Sequence, residues 1–163
     1  MAERTFIIKT SPHLRHPDSV PKIMYAVIIS LLPAVIASLY FFRFRAVIIY
    51  VACLVGALVT EALFLVVRKK PLATLLDGSA AITGLLLAMT LPPTLRVDQA
   101  VIGAVMAIAL GKQVFGGLGY NIFNPALVGR AFLQTAFPVA MTTWIPPVTK
   151  VVNTVTYATP LGN

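Results

Sequence analysis

Apolar and polar positions fall in long blocks along this chain, not in short amphipathic repeats. A polar stretch covers residues 1–21, and apolar runs follow at 23–42 and 46–67, the second closed by Arg68, Lys69 and Lys70. Each run is about 20 residues long, which at 1.5 Å per residue crosses a hydrocarbon core of about 30 Å. A third run, 79–93, is shorter and ends in TLPP; a fourth covers 99–114 and a fifth 125–144. Trp144 reads as an interfacial anchor ahead of Pro146 and Pro147. The pattern predicts an all-α integral membrane protein with about five transmembrane helices. The third run is read either as a full span or as a re-entrant half-helix. The expected organisation is an arm at 1–21, a helical bundle at 22–145 and a polar segment at 146–163.

Composition supports a bilayer as the solvent. Hydrophobic residues make up 58% of the 163 residues and charged residues 11%, against about a quarter charged in soluble domains. The mean hydropathy is +0.89. A net charge of +8 would suggest nucleic acid in a soluble protein, but here the bases cluster between apolar runs, as in cytoplasmic membrane loops. Nucleic-acid binding is therefore excluded. The single cysteine, Cys53, lies inside an apolar run and reads as a small packing residue. No cleavable secretory signal is expected, because the first apolar run is long enough to span.

Small residues recur four apart in three runs: Ala52, Gly56 and Thr60; Ala80, Gly84 and Ala88; Gly103, Ala107 and Gly111. Such stripes let helices approach closely in lipid and predict a packed bundle. With five spans and the N-terminus in the cytoplasm, inner loops hold eight bases, counting Lys112, and outer loops four. This bias places the N-terminus inside and 146–163 outside; a re-entrant third run would reverse the tail.

Among candidate chemistries, LGKQVFGGLGYN fails as a phosphate loop: Met106 stands where the first glycine is needed, and Gln113 follows Lys112 in place of Ser or Thr. Its glycines predict a tight non-helical turn. In NIFNPALVGRAF, Asn121 and Asn124 precede Pro125, which suits a first helical position. Arg130 lies inside the fifth run. It either snorkels to the surface or meets a partner such as a flavin phosphate or a carboxylate. Glu61, deep in the second run, is read either as part of an ion or proton path or as the partner of a base on another subunit. Asp77 opens DGSAAITG, where capping of the next helix is expected, with an ion-path role as the alternative. His13 and His16 read as surface residues, and no metal site is expected. The closing TVTYATPLGN is a hydroxyl cluster beside an apolar segment, either a loop or a place of attachment.

The segments SPHLR, DGSAAITGLLLAMTLPP, GKQVFGGLGYNIFNPALVGRAFL and TYATPL together resemble the RnfD/NqrB family. These are membrane subunits of ion-translocating, flavin-containing electron-transfer complexes of the bacterial or archaeal cytoplasmic membrane. The short arm is more similar to RnfD than to NqrB. The resemblance implies a covalent FMN, joined through its phosphate to a threonine in an S/T-x-A-T motif. Thr156, Ala158 and Thr159 match that motif, with Thr159 as acceptor. Asn153 and Tyr157 depart from the common pattern, which often has an acidic and a small residue there. The resemblance further implies a flavin transferase for maturation and neighbouring Rnf subunits, among them an extracytoplasmic FMN subunit. It makes this chain a non-catalytic part of a sodium- or proton-transporting ferredoxin:NAD+ oxidoreductase. Family members are longer, so the chain is expected to hold the N-terminal half of an inverted-repeat-like bundle, with any riboflavin or quinone site in the other half. The alternatives are an NqrB-type subunit of a sodium-translocating NADH:quinone reductase, and a non-redox inverted-repeat transporter or channel.

Overall fold

The two longest apolar runs form one helical element, α1 (Val20–Val67), interrupted by a single residue of non-helical geometry, Arg43, at φ 51° and ψ −135°. The computed structural model describes residues 19–145, which form helices and turns with no strand among them. Laid straight, α1 would rise roughly 70 Å, more than twice a hydrocarbon core. It is instead folded back at Arg43. The Tyr25 hydroxyl donates to the Leu76 carbonyl at 2.9 Å, while Phe42 and Tyr50 both line a cleft with Ala88 and Met89. Both halves therefore lie along α2 (Ser79–Thr90), one in each direction. We term the end holding Val20 and Val67 proximal and the end holding Arg43 distal.

A 3₁₀ turn, Leu72–Asp77, carries the chain across the proximal end. Helix α2 then runs to the distal end, where Leu91, Pro92 and Pro93 are buried. Helix α3 (Val97–Ile108) returns and continues into a π turn at Ala109–Gln113. After a glycine-containing turn, α4 (Pro125–Ala136) runs distally again, and the short α5 (Pro138–Thr142) follows. The fifth apolar run is thus not one helix as its length suggested. The residue before a proline is pushed out of helical geometry, and Phe137, before Pro138, sits at φ −134° and ψ 59°.

All the small-residue stripes are buried. A Cβ added at Gly84 would come within 3.0 Å of the Cys53 carbonyl oxygen, so α1 and α2 meet almost backbone to backbone. A Cβ at Gly129 would come within 2.6 Å of the Gly103 carbonyl, and the same holds for α3 and α4. Between these contacts lie Cys53, Ala57, Ala80, Leu87, Ala100, Ala104 and Leu133, essentially without exposure. Cys53 is a packing residue, as its sequence context predicts.

The outer surface is apolar too. Val47, Val51, Val55, Val59 and Leu63 form an exposed stripe down the second half of α1. Arg43 and Arg45 bound it at one end and Arg68, Lys69 and Lys70 at the other. An apolar face closed at both ends by bases suits a bilayer better than water.

Candidate functional site

Four separated segments bring polar side chains into the proximal half of the core. Glu61 comes from the second half of α1, Asp77 from the 3₁₀ turn, Ser79 from the entrance of α2, and Lys112 and Gln113 from the π turn. Glu61 and Lys112 are each 2% exposed. Lys112 Nζ donates to Glu61 Oε1 at 2.5 Å, to Oε2 at 2.7 Å and to Ser79 Oγ at 2.5 Å. All three ammonium protons thereby have acceptors. Ser79 Oγ in turn donates to Asp77 Oδ1 at 2.5 Å, and Gln113 Nε2 reaches Glu61 Oε1 at 3.4 Å. The Arg68 guanidinium donates to the Gln113 carbonyl, tying the cluster to the basic proximal rim.

The π turn explains how Lys112 reaches inward. Val114 N–H donates to Ala109 O at 2.9 Å, a five-residue step that widens the helix by one residue. Gly111 lies against Pro125 so closely that an added Cβ would come within 2.7 Å of its Cα. Lys112 therefore leaves this crowded crossing toward Glu61. Placement in an inner aqueous loop, as the sequence count assumed, is not what the structure shows. Glu61 likewise has its base within the chain and needs none from another subunit.

Asp77 meets its capping expectation: Oδ1 accepts from the Ser79 N–H at 2.8 Å, at the positive end of α2. Asn124 also caps as read from sequence, accepting from Ala126 N–H at 3.0 Å, with Pro125 as first helical residue. Asn121 Nδ2 donates to the Phe123 carbonyl at 3.1 Å. Asn121, Asn124, Ser79, Thr83 and Lys112 share the wall of an open cavity of about 390 Å³. Arg130 turns away from it. Its Nη1 donates to the Thr90 carbonyl at 2.9 Å, satisfying a C-terminal carbonyl of α2. The residues around it thus give Arg130 a main-chain partner, in place of the phosphate or carboxylate considered from sequence. Thr156, Ala158 and Thr159 lie outside the described residues, as do His13 and His16.

Sequence reasoning singled out Glu61 and Asp77 and missed Lys112. The available signal was a second opposite charge at the end of an apolar run, next to a glycine and followed by another amide and a valine.

Comparison with known proteins gives a consistent answer. The NQR2, RnfD, RnfE family matches residues 7–163. The RnfD-type subunit of a proton-translocating ferredoxin:NAD(+) oxidoreductase complex from Clostridium ljungdahlii is 47% identical over 157 residues, covering 96% of this chain and 47% of that protein. The corresponding subunits of the ion-translocating oxidoreductase complexes of Citrobacter koseri and Escherichia coli are each 42% identical, covering 87% and 91% of this chain. They are covered over 41% and 42% of their own lengths, so the chain spans less than half of these relatives.

Proposed function

We propose that this chain, which belongs to the NQR2, RnfD, RnfE family, forms the flavin-bearing part of an RnfD-type membrane subunit in an ion-translocating ferredoxin:NAD+ oxidoreductase complex. The observation that carries this reading is the match over residues 7–163, which runs through the Thr156–Leu161 motif. FMN is attached to Thr159 by a phosphoester to its hydroxyl. Pro160 holds Thr159 away from helical geometry, leaving that hydroxyl accessible to a modifying enzyme. The flavin supplies the redox chemistry; this chain holds it at a fixed point. Ferredoxin and nicotinamide bind other subunits, since no iron–sulfur cysteine cluster or dinucleotide fingerprint occurs in the sequence.

In this reading the apolar passes of α1, α2, α3 and α4 cross the cytoplasmic membrane, with the proximal end in the cytoplasm. Removing the buried Lys112 from the loop count leaves seven bases inside against four outside, so the bias keeps its sign. The ion-path candidates Glu61 and Asp77 sit on one polar cluster, with Lys112 as counter-ion.

Intact mass of the purified native chain tests the reading. The expected result is one FMN less one water, lost in Thr159→Ala. A bare chain from cells that contain the flavin transferase overturns it and favours the non-redox transporter.

A further inference from the structure

Tyr50 is 8% exposed, and its hydroxyl has no hydrogen-bond partner among the described residues. Burying a polar group without a partner costs about 1–3 kcal/mol, and buried hydroxyls in native proteins nearly always find one. Tyr50 lines a cleft of about 60 Å³ with Ser38, Phe42, Met89 and Trp144. At about 30 Å³ per water, that space holds two waters or the carbonyl edge of a flat ring, and not a whole ring. Its walls are mostly aromatic and aliphatic, and it opens at the distal end.

The chain leaves the described residues at Ile145, directly after Trp144 in this wall. Fourteen residue steps separate Ile145 from Thr159, a tether of up to roughly 46 Å when extended. A group fixed to Thr159 therefore has the reach to return to Tyr50. Of the chemistry proposed for this chain, the flavin is the component with ring carbonyls and no assigned donor.

We infer that the Tyr50 hydroxyl donates a hydrogen bond to a ring carbonyl of the flavin on Thr159, through the cleft walled by Phe42, Met89 and Trp144. This rests on the assignment of FMN to Thr159. It makes Tyr50 a positioning residue that also tunes the cofactor. A hydrogen bond to the ring favours the more electron-rich reduced form, so Tyr50 raises the flavin's midpoint potential.

The test uses the full subunit in its native complex. Tyr50→Phe removes one oxygen that bonds nothing else among the described residues, so the fold is retained. The expected result is an unchanged FMN mass, a midpoint potential shifted to more negative values and a displaced visible absorption band. Tyr40→Phe, at an exposed tyrosine, leaves both unchanged. A second readout is the emission of Trp144, isolated by subtracting a Trp144→Phe sample. It should be quenched in the FMN-bearing protein relative to Thr159→Ala.

If potential, band and Trp144 emission are all unaffected while the FMN mass is present, water fills the cleft and the inference fails, with the FMN assignment intact. If the wild-type mass shows no FMN, the assignment fails and the inference with it.

Discussion

Lys112 Nζ lies 2.5 and 2.7 Å from the two carboxylate oxygens of Glu61, joining positions 51 residues apart inside an otherwise apolar core. Two charges so far from water persist only as a pair. Removing both from water costs several kcal/mol per ion, and their mutual attraction and added hydrogen bonds return it. Ser79 supplies the third acceptor for the ammonium, so the pair is sealed on the side of α2.

Lys112→Met and Glu61→Gln each break this pair, and each should cost about 3–5 kcal/mol, the range for stranding a buried charge or its donors. The double variant Glu61→Gln/Lys112→Met should recover much of that loss. Unfolding of the detergent-solubilised subunit measures all three. Additive losses would show that the two side chains act independently.

Arg130→Met should loosen the distal end of α2 by about 1.5–3 kcal/mol, the usual worth of a hydrogen bond to a charged group. The Thr90 carbonyl loses its donor. Faster amide exchange confined to the last turn of α2 is the expected signature. An effect instead on FMN attachment would return Arg130 to the cofactor.

Gly129→Val should separate α3 from α4, because its side chain would occupy the position of the Gly103 carbonyl and Ala107 Cβ. Overpacking of this kind costs about 1–3 kcal/mol. A cysteine pair placed across the α3–α4 contact should cross-link in wild type and lose efficiency in the variant.

Arg43 adopts φ 51°, a region that strains residues with a Cβ. Arg43→Gly should stabilise the protein by about 1 kcal/mol in a thermal melt. Arg43→Pro requires φ near −65° and should open the reversal, destabilising by more than that gain.

Much of the architecture was readable in the sequence because bilayer and helix impose lengths and spacings that survive in one dimension. The runs 23–42 and 46–67 map onto the two halves of α1, with Arg43 at their junction. The stripes led by Gly56, Gly84 and Gly103 mark the actual helix contacts, since a missing side chain matters wherever backbones meet. The end of α4 was hidden because Phe137 and Pro138 are apolar and blend into the fifth run, although Pro138 carried the stop signal. The site was legible only in part. Glu61 stood out as a charge among apolar residues, and Asp77 and Asn124 followed from capping chemistry. Lys112 did not, because its inward direction depends on a widened turn that no residue pattern announces. The partner of Arg130 is a main-chain carbonyl, a group present at every position and so invisible to a reading of side chains.

The π turn at Ala109–Gln113 works as a rotational offset of a single residue. One residue advances an α-helix by about 100°. Deleting one codon within the turn would therefore restore ordinary winding and swing the ammonium of Lys112 around the helix axis, away from its carboxylate. The electrostatics of the core thus hang on a count of residues as much as on their identities, and an insertion or deletion there would alter the protein more than most substitutions.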